Sequence, residues 1–181
     1  MPYIEVDDRV PGIRALLAFR PETAGPLAAL TNVLLHEPNS LTPGERELIA
    51  AYVSSLNDCT FCFRSHAAIA VCHLGDEELV ESVLSNPEEA DVSAKMKALL
   101  NLAARVQQGG RAVTIDDIGR ARRDGATDVE IHDTVLIAAA FCMFNRYVDG
   151  LGALTPGDPE AYRARAGLTA QHGYSMSTPG K

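Results

Sequence analysis

Apolar residues recur along this chain at three- and four-residue steps, and strict alternation of apolar and polar positions is nearly absent, so the pattern predicts an all-α protein. Pro11 and Pro21 punctuate two short N-terminal segments, and a helix follows from about residue 22 to residue 35. Leu41-Thr42-Pro43-Gly44-Glu45 is a complete helix start: Thr42 as N-cap, Pro43 in the first helical position, and Glu45 closing a capping box. That helix is expected to run toward Leu56. Asn57 and Asp58 suit the cap of a second helix beginning at Cys59, while Gly75 ends it and Asp76 starts another. Ser93 caps a helix that stops at Gly109-Gly110, and Thr114 one that stops at Gly125.

Thr127 and Asp128 open the last long helix. Its stretch 135–144 is apolar nearly all round, which places it in the core or at a subunit contact. Beyond Gly152 the chain turns polar, with a short helix expected near residues 160–165 and a disordered or subunit-borrowed segment over 173–181. The segments 48–52 and 136–140 echo each other, each following a Thr cap and a Glu, and would correspond to two related helical hairpins.

Composition narrows the function. With 181 residues, 46% of them hydrophobic and 22% charged, the chain is expected to form one domain over 1–181. A net charge of -8 without any basic block argues against nucleic acid, so small molecules or proteins are the expected partners. The acidic N-terminus lacks the order of a signal peptide, and the longest apolar stretch is about half of what a bilayer span needs; no membrane association and a cytoplasmic location are expected. In a reducing compartment the four cysteines should not form a permanent disulfide frame. A close pair is then catalytic, redox-sensing or metal-binding.

Such a pair is present. Cys59, Cys62 and His66 stand at i, i+3 and i+7, and with about 100° of rotation per residue they share one helical face. A thiolate attacks peroxide or disulfide and a thiol hardly does, so the chemistry needs a base or a lowered pKa. Cys59 falls at the start of its helix, where free amides favour an anion, and Cys62 has His66 one turn on. If the helices on either side of residues 56–58 fold back on each other, Glu47 comes within a turn of His66. Glu47, His66 and Cys62 then form a carboxylate, base and nucleophile, leaving Cys59 to resolve. The helix start speaks for Cys59 as the activated thiol and the base for Cys62, so the residues alone leave that choice open.

The string Glu47, eleven residues, Cys59-Thr60-Phe61-Cys62, three residues, His66 resembles the active-site signature of the AhpD-like alkylhydroperoxidases, within the carboxymuconolactone decarboxylase superfamily. The runs 45–50, 54–59 and 140–152 are similar to its peroxidase-related branch, so the resemblance covers roughly residues 20–155, with a tail from about 156. It implies an AhpD-like helical fold, assembly into dimers, trimers or hexamers, and hydroperoxide reduction by an external dithiol such as a lipoyl group on a partner protein, with no resident cofactor. It also implies that Cys62 is peroxidatic, Cys59 resolving and more exposed, and Glu47 with His66 the proton relay. Phe61 is a departure, because the best-characterised members carry a His between the cysteines.

Other readings remain beside this one: a Cys59, Cys62, His66 and Glu47 zinc site, a redox sensor that does not turn over, or a decarboxylase-like enzyme. Cys72 and Cys142 are expected in the core, His132 at the surface or in a structural role, and Tyr52 in core packing. Phe61, Phe63 and Tyr52 hint at an apolar lining suited to organic hydroperoxides. Asn145, Arg146 and Asp149 are expected to form a buried, paired polar set, with Arg146 and Asp149 used in helix or subunit packing.

Overall fold

The computed structural model describes residues 2–174, and among them there are helices and no strands. In chain order these are α1 (Ile13–Phe19), α2 (Pro21–Leu35), α3 (Pro43–Leu56), α4 (Thr60–Leu74), α5 (Glu77–Ser85), α6 (Ala94–Gln108), α7 (Ile115–Arg123), α8 (Asp128–Gly150) and α9 (Glu160–His172). None is long and apolar enough to cross a membrane.

The capping residues fix most of these boundaries. Thr42 with Glu45, Thr114 with Asp117 and Thr127 with Glu130 each form a reciprocal capping box, and Asp76 and Ser93 cap α5 and α6 through single side-chain bonds. Between α3 and α4 the outcome differs from the expected caps. Asn57 closes α3, Asp58 takes a left-handed φ of 56°, and Cys59 is the N-cap of α4. A helix reversal this short requires one residue in the left-handed region, and Asp tolerates it better than most.

The main core is built around α3, α6 and α8, where Leu48, Ile49, Leu99, Leu102, Ile137 and Phe141 are buried together. Helices α3 and α4 form a hairpin, α8 crosses α3, and α9 docks on α4. The segment foreseen as a polar tail is thus a helix that extends to His172, well past the expected stop. Gly173 and Tyr174 are ordered against Asn32, which accepts from the Tyr174 amide at 3.0 Å. The rest of the supposed disordered segment, 175–181, lies outside the described residues.

Charged side chains inside this core are tied to backbone or to each other. Arg46, 1% exposed, donates to the Leu34 carbonyl at 3.0 Å and the Glu37 carbonyl at 2.8 Å, satisfying acceptors at the end of α2. Glu130 caps α8 and pairs with Lys95 of α6 at 2.9 Å. Arg46→Ala would leave two carbonyls without donors, and we expect it to lower the unfolding free energy by about 2–4 kcal/mol in urea denaturation; an unchanged midpoint would contradict the role given to this side chain.

Candidate functional site

The α3–α4 hairpin carries Glu47 on one arm and His66 on the other, and it brings them together. His66 Nδ1 lies 2.7 Å from Glu47 Oε2. Glu47 is 1% exposed, and a carboxylate so buried must be met by donors. Its Oε2 accepts a hydrogen bond from the Nδ1–H of His66, and its Oε1 accepts a short hydrogen bond from the Tyr174 hydroxyl. With Nδ1 occupied as a donor, His66 keeps Nε2 as its basic nitrogen. Phe141 packs edge-on against the imidazole, with centroids 4.6 Å apart, and Tyr174 stacks over it at 6.0 Å. Burial and the charge of Glu47 push the Tyr174 phenol well above its ordinary pKa, so it stays a donor.

Cys59 and Cys62 sit in a separate apolar cluster with Leu16, Val148 and Ala153, where the start of α4 meets α1 and the end of α8. Both thiols are free and buried. Cys59, at 0% exposure, is the less accessible of the two, contrary to the exposed role that the resemblance implied; Cys62 is 4% exposed. The reason is positional, since an N-cap residue folded under the Asp58 reversal is covered by its own turn. The Cys62 thiol is pushed strongly up in pKa, first by its hydrogen bond with Cys59, then by burial. Asn145 opposes this by hydrogen bonding to the sulfur.

Asn145 is buried and paired as expected, but its place beside the thiols was not foreseen. It is 1% exposed, donates to Ser54 Oγ at 3.1 Å and accepts from Asn57 Nδ2 at 2.8 Å, so the reversal, α3 and α8 are locked around the thiols. Arg146 and Asp149, the other two members of the expected buried set, are both exposed in this chain, and Arg146 bonds to the Cys142 carbonyl of its own helix. The helical period explains the exchange: one step of about 100° separates the buried face from the exposed one.

Two cavities flank the cysteine pair. The larger, about 370 Å³, is lined by Cys62 and His66 together with Phe61, Phe141, Tyr162 and Tyr174. The smaller, about 250 Å³, is lined by Cys59 with Ser54, Ser55, Asp58, Thr60 and Phe63. No direct hydrogen bond joins Cys62 to His66; they meet through the space they share. Among the described residues no group of three or more His, Cys, Asp or Glu side chains is arranged to hold a metal ion, and His66 Nδ1 is already committed to Glu47.

A sequence profile of the carboxymuconolactone decarboxylase family matches residues 21–105. Two solved structures resemble the chain along most of its length. One is an alkylhydroperoxidase AhpD core, peroxidase-related protein from Ralstonia eutropha, with a TM-score of 0.77 and 27% identity over 87% of this chain and 82% of that one. The other, a peroxidase-related protein from a Silicibacter species, has the same TM-score and identity over 87% of this chain and 81% of its own. The profile and the two structures together support the AhpD/carboxymuconolactone decarboxylase superfamily. No curated protein matches it.

Within this AhpD-like frame, Phe61 has a structural partner of its own. Its ring lies over Gly12, whose φ of 60° and lack of Cβ give it room, and it faces Tyr162 with centroids 5.9 Å apart. Phe63 lines the smaller cavity and Tyr52 packs on the main core, so of the three aromatics foreseen as lining only Phe61 borders the larger space. Cys72 is exposed and Cys142 half-buried, a correction to their expected core positions: each falls at the edge of its helix's buried stripe. His132 is at the surface, bonded to Asp133 at 2.8 Å. Tyr174 was missed because only the turn at Gly173 returns it; a Cβ there would meet Asn32 and His36, and the φ of 69° favours glycine.

Tyr174→Phe removes a donor from a buried carboxylate, and thermal or urea unfolding should show a loss of about 1–3 kcal/mol. Cys59→Ala removes the largest cause of the raised Cys62 pKa, so the pH midpoint for alkylation of Cys62 by iodoacetamide should move down, with about tenfold faster reaction per unit at a fixed pH below it. A stationary midpoint would show that Cys59 does not hold the Cys62 proton.

Proposed function

We propose that this protein is a thiol-dependent peroxidase that reduces organic hydroperoxides at Cys62. The observation that carries the reading is the common cavity: the thiol and the basic nitrogen of a Glu47-anchored imidazole border the same apolar space of about 370 Å³. A thiol held protonated is a poor nucleophile, so the base has to act as the S–O bond forms. The hydroperoxide enters beside Phe61 and Phe141, and His66 Nε2 takes the Cys62 proton. Cys62 Sγ attacks the terminal peroxide oxygen, the O–O bond breaks, and the leaving alkoxide receives the proton from His66. Cys62 becomes a sulfenic acid and the substrate an alcohol.

Cys59, hydrogen-bonded to Cys62, then attacks the sulfenic sulfur; water leaves and the Cys59–Cys62 disulfide forms. An external dithiol, a lipoyl group being one of the right chemistry, takes up the oxidation by disulfide exchange and restores both thiols. Glu47 holds the Nδ1 proton through the cycle and stabilises the imidazolium. Tyr174 and Asn145 keep the carboxylate and the sulfur in position. This division of labour supports Cys62 as the peroxidatic thiol, because Cys59 borders the other cavity.

Reduced protein mixed with cumene hydroperoxide should lose two thiols per chain, yield one cumyl alcohol, and show a Cys59–Cys62 linkage by mass spectrometry. Cys62→Ser should abolish alcohol formation, while Cys59→Ser should yield one equivalent and stop at the sulfenic acid. Glu47→Gln and His66→Gln should slow the first step by about 10²–10⁴-fold. Alcohol formation by Cys62→Ser at the wild-type rate would end this assignment.

A further inference from the structure

The cavity beside Cys62 carries a second chemical signature that peroxide reduction does not use. Among the described residues no acidic side chain lines it, yet two arginines do: Arg14, half-buried on α1, and Arg165, exposed on α9. They are close enough that the charge of Arg165, after burial, lowers the Arg14 pKa. Among the described residues neither has a hydrogen bond or an ion pair. Every other arginine that packs near this end of the fold is engaged: Arg64 on the Gly157 carbonyl at 3.2 Å and Arg163 on Glu77 at 2.7 Å.

Two like charges facing an apolar space with no counter-ion among the described residues are unfavourable, and an anion would relieve both desolvation and repulsion. The planar fork of arginine suits a carboxylate, which two such groups can grip from either side. Apart from the hydroxyls of Thr31, Ser65 and Thr169 and the Cys62–His66 pair, the remaining lining, including Leu17, Leu27, Ile69 and Phe144, is mostly aliphatic or aromatic. A volume of about 370 Å³ is near the lower end of the roughly 300–1,000 Å³ typical of small-molecule sites, which favours a single apolar body over a two-chain lipid.

We propose that the cavity selects hydroperoxides that bear a carboxylate on an apolar body, with Arg14 and Arg165 holding the carboxylate while the peroxide lies at Cys62. This assignment rests on the peroxidase reading and adds its substrate class. The carboxylate takes no part in the redox step: the O–O bond is still broken by Cys62, with alcohol and sulfenic acid as products.

The test is a matched pair of substrates, para-carboxy cumene hydroperoxide and its methyl ester, reacted with reduced protein in single-turnover thiol-loss measurements. The acid should oxidise the wild-type thiols about tenfold faster or more than the ester. In the Arg14→Gln/Arg165→Gln double variant that ratio should fall to about one, the ester rate in the same variant reporting whether the site is still folded. Equal rates for acid and ester in the wild type, or a ratio kept in a folded double variant, would overturn the proposal.

Should neither compound oxidise the thiols, the peroxidase reading fails separately, and calorimetric titration with dodecanoate decides the anion site. Binding that weakens at least tenfold in the double variant supports it. Absence of binding, or binding indifferent to the two arginines, removes it.

Discussion

A carboxylate buried to 1% exposure is the constraint around which the site is organised. Glu47 cannot remain charged there without donors, and the two it has come from distant parts of the chain: His66 on the next helix and Tyr174 after the last one. Satisfying one side chain therefore fixes the pairing of α3 with α4 and draws the segment after α9 back onto the hairpin. The same contact assigns the imidazole proton to Nδ1 and leaves Nε2 available to the cavity. Packing and chemistry share these bonds, so substitutions at Glu47 have to be judged by stability as well as by activity.

The neighbouring Arg46 shows a second way to bury a charge. It stands one helical step from Glu47, about 100° round the axis, and is spent on carbonyls at the end of α2. Its guanidinium attaches α2 to α3, as Glu47 attaches α4 to α3. The thiol pair is held differently again. Asn57, Asn145 and Ser54 bond to one another around the reversal, so a polar network confines two sulfurs that are otherwise surrounded by aliphatic groups.

This placement bears on which cysteine reacts. Helix-start electrostatics speak for the first thiol, and proximity of a base speaks for the second. In the folded chain the first is covered by its own turn and the second borders the space occupied by the imidazole's side of the site. Access and an imidazole lie together at Cys62, and the raised pKa of that thiol is why the proposed reaction calls on the base during the attack rather than on a standing thiolate.

Much of the fold was legible in the chain because helix caps act over three or four residues. Thr42 with Glu45, Thr127 with Glu130, Ser93, Asp76 and Gly75 carry their message locally, and the 3.6-residue period does the rest. The Glu47–His66 contact could also be foreseen, since a tight reversal fixes the register of two antiparallel helices. Asn145 at the sulfur, Arg146 and Asp149 turned outward, Cys72 at the surface and Tyr174 on the carboxylate could not. Each depends on which side of a helix faces its neighbours, or on a segment more than a hundred residues away in sequence. The sequence determined the helices, their ends and the cysteine, histidine and glutamate of the site through short-range geometry. Tertiary structure alone decided which thiol meets the cavity, which polar groups surround it and which arginines face it, because those follow from long-range packing that no local pattern encodes.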